Sequence, residues 1–228
     1  MNKDPNIGMV DLAAAALQPL LDDLVLVGGC AVGLLITDPA SPAVRPTTDV
    51  DLIVEIAPAS NYYRFCDKLK ALGFQEKYSD SVICRWSKDV LIIDVMPVDE
   101  TILGFTNNWY TSAVKSAGKH TLPSGLTINI ISAPLFIATK IDSFLDRGKG
   151  DYLHHDIEDI INLINGRESI NDEIVQASKD VREFLMDELE ALLSDETFVE
   201  HVGWHLASSG QEMRLDIVVS RMRKIAGL

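Results

Sequence analysis

The stretch Arg45-Pro46-Thr47-Thr48-Asp49-Val50-Asp51-Leu52-Ile53-Val54 decides how this chain is read. Its second half is an aliphatic, β-branched run of strand length, and two carboxylates open it. Side chains alternate faces along a strand, so Asp49 and Asp51 point the same way, roughly 7 Å apart at their Cα atoms. Two like charges on one face repel. A cation beside them removes that cost, and hard divalent ions such as Mg²⁺ favour carboxylate oxygens. A second unusual strand, Val90-Leu91-Ile92-Ile93-Asp94-Val95-Met96, holds one acid inside an apolar run. An ionised carboxylate there needs a partner, a proton or a metal. If the two strands are neighbours, three carboxylates converge; taken alone, Asp94 reads equally as a hydrogen-bonded strand-end acid.

Upstream, residues 24–27 form a short apolar strand that runs into Gly28-Gly29, with a helix expected over 30–36. Backbone N–H groups at such a turn receive phosphate, although a Gly-Gly pair also reads as a plain tight turn. Neither G-x-x-x-x-G-K-[ST] nor G-x-G-x-x-G occurs. Outward from this centre the pattern predicts a helix over 9–22, a Pro-rich loop over 38–48, a strand over 49–56 and a helix over 60–72 closed by Gly73. A hairpin follows over 81–86 and 90–98, with Lys88-Asp89 at its turn, then an irregular stretch, 99–124, and a last strand over 126–131. From 133 onward strand signals vanish. Helices read at 134–146, 154–165, 171–193, 197–206 and 211–225, the third with a stripe of Ile174, Val181, Phe184, Leu185, Leu189 and Leu192. The shift near Ser132 divides the chain into 1–132 and a helical region, 133–228.

The 228 residues are 47% hydrophobic and 24% charged, the composition of a globular protein able to bury its own core. No apolar run approaches the ~20 residues of a membrane helix. The N-terminus mixes acids and Pro19 into its apolar stretch and reads as an amphipathic helix, so a cytoplasmic protein with no membrane partner is expected. The net charge of −14 argues against broad phosphate-driven binding of nucleic acid. Cys30, Cys66 and Cys84, odd in number and set among apolar neighbours, read as buried thiols.

In the helical region, Lys140 and Arg147 stand seven apart and share a helix face if the helix persists; a solvated charged face is the plain alternative. Asp156 and Asp159 share a face at i and i+3, and acids also favour a helix N-terminus without any further role. His154 and His155 would diverge on a helix, so at most one is expected to join a given site and a zinc centre is disfavoured. Trp109 and Tyr110 read as a core cap or as a stacking surface for a base.

Together these residues resemble a known family. The Gly-Gly turn opening a helix, the Asp-x-Asp strand and the later single Asp resemble the nucleotidyltransferase superfamily with its polymerase-β-like palm. More narrowly, GGCAVGLLI (28–36) followed by RPTTDVDL (45–52) resembles the AbiEii/AbiGii-type toxin nucleotidyltransferases, whose pattern is GG-x-A, then R-x-T-x-D-x-D-L. The stretch ATKIDSFLDRGKGDYLHHDIEDI (138–160) is similar to that family's Lys helix and following Asp-x-x-Asp helix. The likeness covers residues 24–166. This chain departs from it in the 19 residues between Gly29 and Asp49, and in His155 where a basic residue often stands.

The resemblance implies an α+β fold: a mixed-sheet nucleotidyltransferase core, then a helical region that packs on it and completes the site. It implies an Mg²⁺-dependent enzyme that moves an NMP from an NTP to a hydroxyl acceptor. Asp49, Asp51 and Asp94 would hold one or two Mg²⁺ ions, with Asp94 also activating the acceptor. Gly28, Gly29, Arg45, Thr48 and Arg147 would bind the nucleotide, Lys140 would neutralise its phosphates, and Asp156 would be the functional acid of its pair. The biological setting implied is a toxin of a bacterial toxin–antitoxin or phage-defence system, with tRNA as acceptor and a cognate antitoxin protein as partner. The tRNA reading requires Lys115, Lys119, Lys140, Arg147 and Lys149 to gather into one patch. The alternatives are a small-molecule, antibiotic-type nucleotidyltransferase and a non-catalytic nucleotide-binding module.

Overall fold

The computed structural model describes residues 4–56, 59–77, 84–148 and 150–228. They divide into two compact units: 4–33 with 45–132, and 34–44 with 133–228. The first holds a seven-stranded mixed sheet: β1 (Leu24–Leu26), β2 (Val50–Val54), β3 (Gln75–Glu76), β4 (Arg85–Lys88), β5 (Leu91–Pro97), β6 (Gly118–Thr121) and β7 (Thr127–Ile130), in the order β3-β4-β5-β2-β1-β7-β6. β2 and β5 run parallel, as do β1 and β7; the remaining neighbours are antiparallel.

β2 and β5 sit centrally, and their aliphatic side chains supply the core: Val50, Ile53, Val54, Ile93 and Val95 are at most 1% exposed. A parallel pair needs a crossover. Here it runs through α3 (Ala59–Ala71), β3 and β4. The hairpin turn falls at Asp89-Val90, one residue later than Lys88-Asp89, because Asp89 adopts a left-handed φ of +52°. Asp tolerates that region better than most residues. Residues 81–83 of the expected first hairpin strand lie outside the described residues. The irregular stretch contains two short helices, α4 (Glu100–Leu103) and α5 (Tyr110–Lys115), and strand β6.

The N-terminal helix, α1 (Ile7–Ala16), stops short of the expected 22 and passes into a 3-10 turn that starts before Pro19. Helix α2 (Gly29–Leu35) leads out of the Gly-Gly turn. Among the described residues no helix is long and apolar enough to cross a membrane, and all three cysteines are free and buried.

The second unit is helical: α6 (Ala133–Ser143), α7 (His155–Gly166), α8 (Ile170–Gln176), α9 (Lys179–Leu193), α10 (Glu196–Ser208) and α11 (Leu215–Ala226). α6 ends in a π-helical turn, Phe144–Gly148. The single helix expected over 171–193 is two, since Ala177 and Ser178 are extended, with ψ of 167° and 154°. Ile174, Val181, Leu185, Leu189 and Leu192 of its stripe are buried nonetheless. Segment 34–44 is stitched to the end of α7: the N–H groups of Thr37 and Asp38 both donate to the Gly166 carbonyl at 2.9 Å. Arg214 pairs with Asp38 at 2.7 Å and also donates to the Asn165 carbonyl, so the last carbonyls of α7 are capped by arginine.

Candidate active site

β1 delivers the chain to Gly28, whose φ of +65° turns it sharply into α2. The Val27 N–H donates to the Asp51 carbonyl at 3.0 Å, which fixes the turn against β2. A Cβ on Gly28 would overlap the Asp51 carboxylate; on Gly29 it would meet Thr47 Cγ2 at 2.7 Å and Arg45 Nη2 at 2.9 Å. The turn thus lies between an acid and a guanidinium, and only glycine leaves room for both.

On the same sheet Asp51 is the register partner of Asp94 across the parallel β2–β5 pair. Asp94 is in turn the partner of Arg85 across the β4–β5 hairpin. Register partners share a face. Arg85, Asp94 and Asp51 therefore line up across three strands, with Asp49 two residues before Asp51. Arg85 grips Asp94 bidentately, Nε to Oδ1 at 2.8 Å and Nη2 to Oδ2 at 2.7 Å, and the same Nη2 also donates to Asp49 Oδ2. Burial raises the Asp49 carboxyl above the usual range and the Asp94 charge adds to this, while Arg85 and Arg45 pull it down.

The loop that carries Arg45 and Thr47 is tied down by Asn6. This buried side chain, rather than capping α1, donates to the Arg45 carbonyl at 3.0 Å and accepts from the Thr47 N–H at 2.9 Å. Cys30 Sγ lies 3.0 Å from Thr47 Oγ1, and burial pushes its thiol up to about 12, so it stays protonated and inert. Thr47 is thus the threonine set against the turn, whereas Thr48 is exposed.

Gly28, Gly29, Arg45, Asp49, Asp51 and Asp94 are in this way brought to one place in the first unit. Arg85 and Asn6 are the members that sequence reasoning misses. Arg85 is visible only once the hairpin register places it opposite Asp94.

Lys140, Arg147 and Asp156 belong to the helical unit and form a cluster of their own. Lys140 Nζ sits 3.0 Å from Asp156 Oδ1 and 2.6 Å from Asp159 Oδ2; the three side chains are 7%, 0% and 1% exposed. Arg147, inside the π-helical turn, reaches the same Asp156 at 3.0 Å. A solvated charged face does not describe Lys140. Burial raises the Asp156 carboxyl, but the Lys140 and Arg147 charges outweigh it and hold the group below its usual value.

His154 and His155 both lie beside Asp156, at 3.3 and 3.6 Å, with ring centroids 4.0 Å apart. The expected divergence fails because His154 is the extended N-cap, with ψ of 141°, and only His155 is helical. Among the described residues this trio alone has ligand atoms all within 4.8 Å of one another. The Lys140 and Arg147 cations on Asp156 make it a poor seat for a further one. Of the five basic residues named for a tRNA patch, Lys140 is buried, Lys119 pairs with Asp22 at 3.2 Å and Lys149 lies outside the described residues. Tyr110 spends its hydroxyl on Met96 Sδ at 3.5 Å.

Asp49, Asp51 and Asp94 offer hard carboxylate oxygens, the ligand type that Mg²⁺ favours, and Arg85 bridges two of them, Asp49 and Asp94.

The fold is an α+β nucleotidyltransferase fold, a mixed sheet followed by a helical region, as the motifs lead one to expect. The chain is similar to an antigenic nucleotidyltransferase-like protein from Paracoccidioides brasiliensis, with a TM-score of 0.53 and 19% identity over 86% of this chain and 91% of that one. At that identity the likeness is one of fold. No protein-family model and no curated protein matches the sequence.

Proposed function

We propose that the protein is a divalent-metal-dependent nucleotidyltransferase that moves an NMP from an NTP to a hydroxyl acceptor. The observation that carries this reading is the meeting of Asp51 with Gly28, its side-chain alignment with Asp94 and the Arg45 guanidinium at Gly29. A glycine turn, a cation and a carboxylate set thus meet at one end of β1 and β2, beside β5.

Asp49 and Asp51 would hold Mg²⁺, with Asp94 completing the set. The bound ion would supply charge stabilisation at the phosphate oxygens. The Gly28-Gly29 turn, with Asp51 and Arg45 packed close against it, would present backbone to the triphosphate. Arg45 neutralises phosphate charge, and its planar fork suits that geometry. Asp94 orients the acceptor hydroxyl and takes its proton. Positioning and electrostatics account for such catalysis, with no covalent enzyme intermediate required.

The sequence likeness to AbiEii/AbiGii-type toxins supports a toxin or phage-defence setting, in cytoplasm. The acidic chain and the burial of Lys140 favour a small hydroxylated acceptor over tRNA. The test is incubation with α-³²P-labelled NTPs, Mg²⁺ and, in separate arms, pooled tRNA, protein and small-molecule extract. Wild type is expected to label one arm and Asp51→Ala none. Equal labelling by both, or no transfer and no NTP binding by wild type, overturns the reading.

A further inference from the structure

The Arg85 guanidinium spends its fork on Asp94 and shares Nη2 with Asp49, so one side chain occupies oxygens of two of the three acids proposed to hold metal. Its own surroundings explain why. Asp49, Asp51 and Asp94 crowd one face, and Arg85 and Arg45 are the cations set against them. Arg85, bonded to both Asp94 and Asp49, offsets the repulsion in that crowding.

An ion entering with Arg85 in place would share Asp49 with a guanidinium and stand beside its charge, which in a half-buried site costs more than in water. Withdrawal of Arg85 leaves three carboxylates for a doubly charged ion.

We propose that Arg85 is a built-in counter-cation: it holds the carboxylates together in the metal-free protein and gives them up to an incoming divalent ion. This rests on the assignment of Asp49, Asp51 and Asp94 as the metal site. Arg85 is then a positioning residue that sets metal affinity, and it keeps the empty site from collapsing or repelling itself open.

The test uses Mn²⁺ alone, with free ion counted by electron paramagnetic resonance, on metal-stripped full-length wild type, Arg85→Gln, Arg85→Lys and Asp51→Asn. Arg85→Gln is expected to bind Mn²⁺ at least tenfold more tightly than wild type, about 1.4 kcal/mol. It should melt at a lower temperature in EDTA and gain more from Mn²⁺ than wild type does. Arg85→Lys keeps the charge and stays within about threefold of wild type. Equal or weaker binding by Arg85→Gln overturns the inference while leaving the site intact; absence of Mn²⁺ binding by every protein overturns the site itself. An independent check needs no variant: in ¹⁵N-labelled wild type the Arg85 Nε–H resonance should move on saturation with Mg²⁺, and an unmoved resonance refutes the exchange.

Discussion

Replacing Lys140 with Met tests how the helical unit is held together. The ammonium lies 3.0 Å from Asp156 and 2.6 Å from Asp159, and all three side chains are buried. Met preserves most of the apolar stem, so lost packing against Phe136 and its neighbours is small. What remains is a carboxylate on Asp159 stripped of this ion pair, and one on Asp156 left to Arg147. Breaking a buried pair from one side costs about 3–5 kcal/mol, because the surviving charge loses its counter-ion in a place shielded from water. Domains of this size are stable by roughly 5–15 kcal/mol, so the loss is a large share of the total. Urea unfolding followed by far-ultraviolet circular dichroism measures it. The double variant Lys140→Met/Asp159→Asn should regain most of the loss, since Asp156 keeps the Arg147 fork and no unpaired charge remains. A single-variant cost under about 1 kcal/mol, or a double variant no more stable than the single, would show that the cluster is not held as described.

Three further outcomes follow from the same geometry. Gly28→Ala meets both a left-handed backbone and the Asp51 carboxylate, whereas Gly104→Ala meets only the backbone, with φ of +79° and nothing within 4 Å; Gly104→Ala should cost about 1–2 kcal/mol and keep NMP transfer, and Gly28→Ala should cost more and lose transfer. The Asp49 carboxyl is raised in the folded state, so its charge opposes folding above the unfolded pKa of ~3.9; in EDTA at pH 7, Asp49→Asn should therefore melt higher than wild type while transferring at least 100-fold more slowly, and a lower melting temperature would contradict the burial and repulsion assigned there. Asp156 has the opposite sign: its carboxyl is lowered, so its contribution is complete above ~3.9 and fades as pH falls through the lower folded value. The stability gap between wild type and Asp156→Asn should accordingly narrow in urea melts below about pH 3, and a gap that widens there would be wrong for this cluster.

The reach of sequence reasoning differs across the site for physical reasons. Asp49 and Asp51 are legible because a period of two opens the apolar run with them, although β2 itself begins at Val50 and Asp49 lies in the bend before it. Asp94 joins them only through tertiary pairing: nothing local says that β5 lies beside β2, yet an acid inside an apolar strand signals that something must compensate it. Arg85 is hidden deeper. Its partner depends on the hairpin register, and moving the turn from 88–89 to 89–90 changes the residue opposite it from Ile92 to Asp94. Asn6 is invisible locally, since it acts across 39 residues on the Arg45 carbonyl. In the helical half, the break at Ala177-Ser178 escapes periodicity because the apolar stripe stays buried on both sides of it and Ala is itself a strong helix former. The two histidines converge for a similar reason: helix geometry predicts divergence only for residues inside the helix, and His154 is its cap.

The central claim is that Asp49, Asp51 and Asp94, beside the Gly28-Gly29 turn, form the cation and nucleotide site. Anomalous diffraction from crystals grown with Mn²⁺ and a non-hydrolysable NTP tests it most directly. The account predicts manganese peaks in contact with the Asp49 and Asp51 carboxylates, with the triphosphate against Gly28 and Gly29; a peak at His154, His155 and Asp156 instead, with none at the strand acids, would contradict it.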